Sequence, residues 1–518
     1  MASIIRNNLT IADYLAELRG ADIVLNASVP DDAASSRVRF VTYDSRKARP
    51  GTLFIAKGSH FDPAYLDSAR DAGAIAVIAD ESRAEQLAQA NTQNFPVIVV
   101  SDIHQAIIAT GHLYYGQVTD YLRTAGVTGT KGKSTVVYFM RSVLRAWLEA
   151  SGAPGPAFLS SIKNYDGGAE EESHLTTPEP FEIYEHFANA YSAGIEHMVM
   201  EVSSQALKYG RVDGMTFTVG AFLNISEDHI SPVEHADFDD YYTSKLKLFD
   251  HCKTAFVNAD ADLAERTIAH ARERCRVLTF GSTSECDVYC APESVTANGA
   301  GFDFHVESPW YSGDFHITMP GRFNVSNALA VIGMCGELGV PEEYVRSGLA
   351  GALVPGRMEV YSSADGDVVA VVDYAHNRLS YEKVFESLSA EYPGYDVVSV
   401  FGSAGGKALD RRIALPEVAS RYSKLIYLTE DDNYYEPFNS IASDMLRNVT
   451  VQCIVNEDRA QCIHDAIVGY PGRHVVAILG KGAETTRARG GDYVEVPTDG
   501  EDAMRSLAEY DSLREGDR

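Results

Sequence analysis

Short apolar runs, each bounded by polar or turn-forming residues, alternate with stretches of helical periodicity along the whole chain. Residues 38–41, 52–56, 74–79 and 96–100 read as strands, and 64–73 as a helix closed by a glycine. The alternation resumes with a helix over 135–150 and strands at 197–202, 219–224 and 255–260. A third series places strands at 368–372, 397–401, 425–428 and 474–479. Apolar strands separated by helices imply parallel sheets covered on both faces. The expected fold is α/β, with three α/β domains: 1–115, a central parallel-sheet domain over 116–353, and a Rossmann-like C-terminal domain over 354–518. Val354-Pro355-Gly356-Arg357-Met358-Glu359 reads as the hinge before the third domain.

Ligands of such sheets bind beyond the carboxyl ends of the strands, so the residues there carry the candidate chemistry. Gly126-Val127-Thr128-Gly129-Thr130-Lys131-Gly132-Lys133-Ser134 lies between a strand end and the 135–150 helix. A loop in that place aims backbone N–H groups at one spot, at the positive end of the helix dipole. Lys133 adds a cation, and Ser134 a hydroxyl suited to Mg²⁺. The reading is a P-loop that holds nucleotide phosphates, although the glycines at 126, 129 and 132 do not follow Walker A spacing. The bland alternative is a Gly-rich turn with a chance Gly-Lys-Ser.

Other strand ends add polar groups. Glu201 precedes Ser203 and Ser204, where a carboxylate could hold Mg²⁺ and a serine could cap a helix. Asp228-His229 follows the strand ending at Asn224, and Asp373-Tyr374-Ala375-His376 follows another. Asp431 and Asp432 lie in one polar loop and Glu484 in a second, a set of carboxylates suited to a cationic ligand. Taken alone, Lys245 reads as a solvated helix lysine.

Composition narrows the classes. The chain has 518 residues, too many for one ordinary core. Its net charge of −29, from 44 basic and 73 acidic residues, disfavours nucleic acid as a partner. No run approaches the ~20 apolar residues of a membrane span. Residues 1–18 lack the apolar core of a signal peptide, so a cytoplasmic protein without membrane insertion is expected. The seven cysteines are scattered and odd in number, which fits free thiols rather than disulfides or structural zinc.

Several motifs occur together in one order: Gly126 to Ser134, Thr176-Thr177-Pro178-Glu179, Glu201-Val202-Ser203-Ser204, Asn224 to His229, Gly321-Arg322-Phe323-Asn324-Val325-Ser326-Asn327-Ala328, Pro355 to Glu359, and Asp373 to His376. In this order the chain resembles the Mur ligases over essentially its whole length. Within them it most resembles the branch that adds the third residue of the peptidoglycan stem peptide. Asp44-Ser45-Arg46 and Gly58-Ser59-His60-Phe61-Asp62 match segments that help bind the uridine nucleotide in that family, so Ser45, Ser59 and His60 are implied there. Most relatives have asparagine in place of Lys131 and threonine in place of Ser134.

The resemblance implies ATP and Mg²⁺. Gly129, Thr130, Lys131, Gly132, Lys133, Ser134 and Thr135 would serve the phosphates. Ser134, Glu201, His229 and Lys245 would serve the metal, and Lys245 matches the position that carries a carbamate. Asn324 and Asn327 match the pair near adenine, and Arg357, Asp373 and His376 match further nucleotide contacts. Thr176, Thr177, Ser203 and Arg211 match residues that hold the muramoyl dipeptide. The implied reaction is ATP-dependent: the D-glutamate carboxylate becomes an acyl phosphate, which the amine of a diamino acid attacks. A monomer is expected.

Family members that use meso-diaminopimelate carry Asp-Asn-Pro-Arg, the arginine gripping the distal carboxylate. This chain reads Asp431-Asp432-Asn433-Tyr434, without that arginine. Asp431, Asp432 and Glu484 suit a side-chain ammonium, which favours L-lysine, with L-ornithine or meso-diaminopimelate as alternatives. A folylpolyglutamate-type ligase and a non-ligase P-loop NTPase are the competing readings.

Overall fold

The computed structural model describes residues 4–58, 61–83, 86–87, 95–227, 230, 234–298, 301–406 and 409–516. The chain divides into two compact units, one made of 1–133, 144–257 and 261–278, the other of 134–143, 258–260 and 279–518.

The first unit holds two sheets. The N-terminal sheet has the order Val24–Ser28, Val97–Val100, Ala74–Asp80, Thr52–Ala56, Phe40–Thr42. All its neighbours are parallel except the Val24–Ser28 edge. The expected strand at 38–41 is shifted to Phe40–Thr42, because Val38 N–H leaves the sheet to donate to Leu9 O at 2.8 Å. The expected 64–73 helix spans Pro63–Asp71, capped by Asp62, and Gly73 follows with φ +100°.

The second sheet of this unit has a parallel centre. Cys252–Asn258, Phe217–Phe222, Arg123–Thr128, His197–Glu201 and Ala157–Leu159 lie side by side in that order. Lys163–Tyr165 and Glu171–Glu172 extend its edge antiparallel. The strands expected at 219–224 and 255–260 begin and end earlier. Leu223 and Asn224 have already turned out of the sheet onto the loop after Thr128.

In the second unit, Gly301–Glu307 pairs antiparallel with both Thr296–Asn298 and Ser312–Ile317. The helix Phe323–Leu338 follows, buried along nearly its whole length. A six-stranded sheet then has the order Glu359–Ser362, Val368–Asp373, His474–Leu479, Asp396–Phe401, Leu425–Leu428, Gln452–Val455. Only its first pairing is antiparallel. Strand order reverses beside His474–Leu479, so the loops after Leu428 and Leu479 open at the same end of the sheet.

Candidate active site

The loop expected to hold phosphates is shorter than its sequence motif. Gly126 lies inside the strand Arg123–Thr128, where a Cβ would come within 2.8 Å of the Phe217 ring. It is a packing glycine, and the loop itself spans Gly129 to Gly132. Gly132 sits at φ +88°, the left-handed region, and directly precedes the helix Lys133–Ala150. The first N–H groups of that helix therefore face out of the loop.

Two lysines and one asparagine hold the loop. Lys133 Nζ donates to Gly129 O at 3.0 Å and to Thr130 O at 3.4 Å. Lys245 Nζ, on the helix Phe238–Leu246, donates to Gly129 O at 2.9 Å. Lys245 is 1% exposed, so it is not the solvated helix lysine that its local sequence suggests. Asn224 accepts from Lys131 N at 2.9 Å and donates back to Lys131 O at 3.0 Å, an amide closing on both main-chain groups of one residue like a strand partner. Thr130 is tied to Ser226 and to the Tyr241 hydroxyl.

Glu201 ends a neighbouring strand and is 1% exposed. Its Oε1 accepts from Ser161 N and Oγ at 2.8 and 3.1 Å. Among the described residues no lysine or arginine lies within 4 Å of it. A buried carboxylate without a cation is costly, and hard oxygen donors suit Mg²⁺, so Glu201 fits a metal role. Among the described residues no group of three His, Cys, Asp or Glu side chains forms a complete metal cage. His229, with Ser59 and His60, lies outside the described residues.

Beside Glu201, Thr177 Oγ1 donates to Glu201 O at 3.0 Å and accepts from Ser203 N at 3.0 Å. Ser203 caps the helix Ser204–Lys208 through Ala206 N. Arg211 donates to Thr177 O at 3.0 Å and pairs with Glu179 at 2.8 Å. Lys57 pairs with the other Glu179 oxygen at 2.5 Å and lies over the Tyr43 ring. Burial raises the Glu179 carboxyl, but Lys57 and Arg211 outweigh it and hold it below its ordinary value. Thr176 is half-buried in the same turn. Ser45 lies in a short 3₁₀ turn capped by Asp44, whose carboxylate also grips Arg46.

In the second unit Asn324 and Asn327 form a buried pair, Asn327 donating to Asn324 Oδ1 at 2.9 Å. Glu391 Oε1 accepts from Gly321 N at 2.7 Å, and burial pushes its carboxyl up to about 7. Asp373 accepts from Met358 N and Ala375 N at 2.8 and 2.7 Å. That bond holds Met358 at φ +48°, a conformation unfavourable for a side chain with a Cβ. Arg357 lies over the Tyr374 ring, and His376 Nδ1 meets Tyr374 O at 2.9 Å.

The expected acidic cluster exists, built around a cation of the chain itself. Lys481 is 3% exposed and pairs with Asp432 at 2.9 Å and with Glu484. Burial foremost, then Asp432 and Asp431, raise the Glu484 carboxyl despite Lys481. Asp431 accepts from Asp432 N at 2.6 Å and, among the described residues, has no lysine or arginine within 4 Å. Buried Glu430 is matched by Arg487 and Arg489 from the hairpin Thr486–Arg489 and Asp492–Glu495. Tyr434 N donates to Ala488 O, fastening the acidic loop to that hairpin.

Residues 127–335 match the Mur ligase middle domain, and residues 356–496 match the Mur ligase, glutamate ligase domain. A relative from Streptococcus thermophilus, named UDP-N-acetylmuramoyl-L-alanyl-D-glutamate–L-lysine ligase, is 33% identical over 90% of this chain and 92% of its own. A UDP-N-acetylmuramyl-tripeptide synthetase from Lactococcus lactis is 35% identical over 87% of this chain and 89% of its own. The chain belongs to the Mur ligases.

Solved Mur ligases share the fold. A UDP-N-acetylmuramoyl-L-alanyl-D-glutamate–2,6-diaminopimelate ligase superposes with a TM-score of 0.66 at 22% identity, over 97% of this chain and 99% of that one. A MurF ligase from Thermotoga maritima in complex with ADP gives 0.58 at 16% identity, over 92% and 99%. In this Mur ligase the first unit brings together Gly129 to Lys133, Lys245 and Asn224 on one side, and Glu201, Thr177, Ser203 and Arg211 on another. Ser134, Thr135, Asn324, Asn327, Arg357, Asp373, His376, Asp431, Asp432 and Glu484 belong to the second unit. Sequence reasoning weighed Asn224 only as a polar residue at a strand end, without a specific role, and passed over Lys481, Arg487 and Arg489. The signal for Lys481 was present in Gly480-Lys481-Gly482-Ala483-Glu484, where only the glutamate was weighed.

Proposed function

We propose that this chain is an ATP-dependent amide ligase that joins L-lysine to the D-glutamate carboxylate of UDP-N-acetylmuramoyl-L-alanyl-D-glutamate in peptidoglycan precursor synthesis. One observation carries it: relatives matched over about nine-tenths of the chain bear the name of that lysine ligase. The acidic cluster, with tyrosine at 434 and no arginine in residues 431–437, supports lysine over a diamino acid with a distal carboxylate.

The reaction joins two anions before it joins carbon to nitrogen. A carboxylate oxygen of the D-glutamate attacks the γ-phosphorus of ATP, and ADP leaves. The lysine amine then attacks the acyl carbon, and phosphate departs with the former carboxylate oxygen as the amine loses its proton. Lys133 and the helix N-terminus behind it neutralise charge on the transferring phosphoryl group. Ser134, Glu201 and Lys245 as a carbamate, with His229, would hold Mg²⁺, which adds further neutralisation there. Asn224 keeps the Lys131 peptide fixed so that loop N–H groups stay aimed.

In this reading residues 1–115 take the uridine nucleotide through Ser45, Ser59 and His60, residues 116–353 bind ATP, and residues 354–518 bind the amino acid. Thr176, Thr177, Ser203 and Arg211 hold the dipeptide, and Asn324, Asn327, Arg357, Asp373 and His376 hold the nucleotide. Asp431 takes the lysine side-chain ammonium, Asp432 and Glu484 being shared with Lys481. No helix of the described residues is long and apolar enough to cross a membrane.

The test is phosphate release from ATP with the UDP-dipeptide, offering lysine, ornithine and meso-diaminopimelate separately. Release that needs both dipeptide and lysine is expected. Release from ATP alone would indicate an NTPase, and preference for diaminopimelate would sink the acidic-pocket argument.

A further inference from the structure

Arg459 is the largest fully buried side chain among the described residues, at 0% exposure, and no step above uses it. It opens the helix Arg459–Val468, and its guanidinium forms a two-pronged pair with Asp499, Nε to Oδ1 at 2.7 Å and Nη2 to Oδ2 at 2.6 Å. A buried ion pair of this kind is weak support for stability, since well-packed apolar residues often serve as well. Its other donors point elsewhere. Nη2 also donates to Leu479 O at 2.9 Å, and Nη1 to Glu430 O at 3.3 Å.

Those two carbonyls are the last main-chain acceptors before the two loops of the amino-acid pocket. Leu479 precedes Gly480-Lys481, and Glu430 precedes Asp431-Asp432. Their strands are not neighbours: Asp396–Phe401 runs between His474–Leu479 and Leu425–Leu428. Two strand spacings of ~4.8 Å therefore separate the exits that this one side chain ties together. The flat, five-donor fork of arginine can hold a carboxylate and two carbonyls in fixed directions, which a lysine ammonium cannot.

We propose that Arg459 is a positioning residue that, together with the Lys481–Asp432 pair, sets the distance between the Asp431-Asp432 loop and the Lys481-Glu484 loop, and so the affinity and length selectivity of the diamino-acid pocket. Asp499 holds the guanidinium in place. The inference rests on the amino-acid pocket assigned under the proposed function, and it concerns ground-state fit of the amino acid rather than phosphoryl transfer.

The experiment compares wild type with Arg459→Lys in steady-state kinetics, with each substrate varied in turn and a thermal melt of each protein. The expected result is a KM for the amino acid raised about tenfold or more, as for loss of charged hydrogen bonds. KM for ATP, KM for the UDP-dipeptide and kcat should stay within about threefold, and the preference for lysine over ornithine should narrow. An unchanged amino-acid KM, or a parallel loss in all four parameters, would overturn the proposal. Should Arg459→Lys not fold, Asp499→Asn, which keeps both side-chain shapes, carries the same comparison. The wild-type control separates the two questions. It identifies which amino acid is used, and the variant is then read with that one.

Discussion

The ammonium groups of Lys133 and Lys245 donate to one acceptor, the carbonyl oxygen of Gly129, at 3.0 and 2.9 Å. Two like charges this close repel. The carbamate that the Mur ligase resemblance implies at Lys245 would turn one member of the pair into an anion.

On the Mur ligase resemblance, Lys245 is expected to carry a carbamate in the working enzyme. ¹³C-bicarbonate should give a carbamate carbon resonance in wild type that is missing in Lys245→Ala. The variant should lose about 100-fold or more of kcat, the scale for removing one preorganised charge at a transition state. Wild-type turnover in Lys245→Ala would remove this residue from the machinery.

The Asn224 side chain bonds both main-chain groups of one residue, Lys131. Asn224→Ala should raise KM for ATP by about 10-fold, equivalent to one or two lost buried hydrogen bonds. Asn224→Asp should be worse, because a second carboxylate oxygen replaces the donor to Lys131 O. Isothermal titration with ADP provides a check without turnover.

Gly126 separates packing from phosphate binding. Gly126→Ala should lose about 1–3 kcal/mol of stability through its clash with Phe217, with KM for ATP unchanged. Phe217→Leu in the same chain should recover part of the loss, since the two residues touch. A raised KM for ATP at unchanged stability would return Gly126 to the phosphate loop.

Glu391 gives a pH dependence of defined sign. Its carboxyl stands at about 7 in the fold against an ordinary 4.5, so the folded state favours the protonated form. That contribution is complete below about 4.5 and is lost as pH rises through about 7. Glu391→Gln should flatten the fall of melting temperature between those limits and leave the Gly321 N–H bond in place. An identical slope in the variant would show that another group is responsible.

The parallel centres of the sheets were legible because residues such as Val368–Asp373 and His474–Leu479 are apolar on both faces. The edges were not: Val24–Ser28 and Glu359–Ser362 are polar or half-exposed, and nothing in their pattern distinguishes an antiparallel edge from a loop. Strand ends slipped where side chains had work to do off the sheet, as at Asn224. Among site residues, Glu201 and Lys133 were visible as polar groups at predictable positions. The environment of Lys245 was not, since burial of a helix lysine depends on what packs against it. Likewise, no local signal says that Lys481 also reaches Asp432, or that Arg487 and Arg489 offset Glu430 across the fold.

Lys481 changes what the acidic pocket measures. Acids alone would attract any cation and would push one another apart before it arrived. With the Lys481 ammonium held between Asp432 and Glu484, an incoming one would, in the proposed function, be drawn by Asp431 and held off by its own kind. The favourable position would then be a narrow zone, which a diamino acid would reach or miss according to the number of methylenes in its side chain. A residue of the enzyme would thus work as a ruler for the proposed substrate.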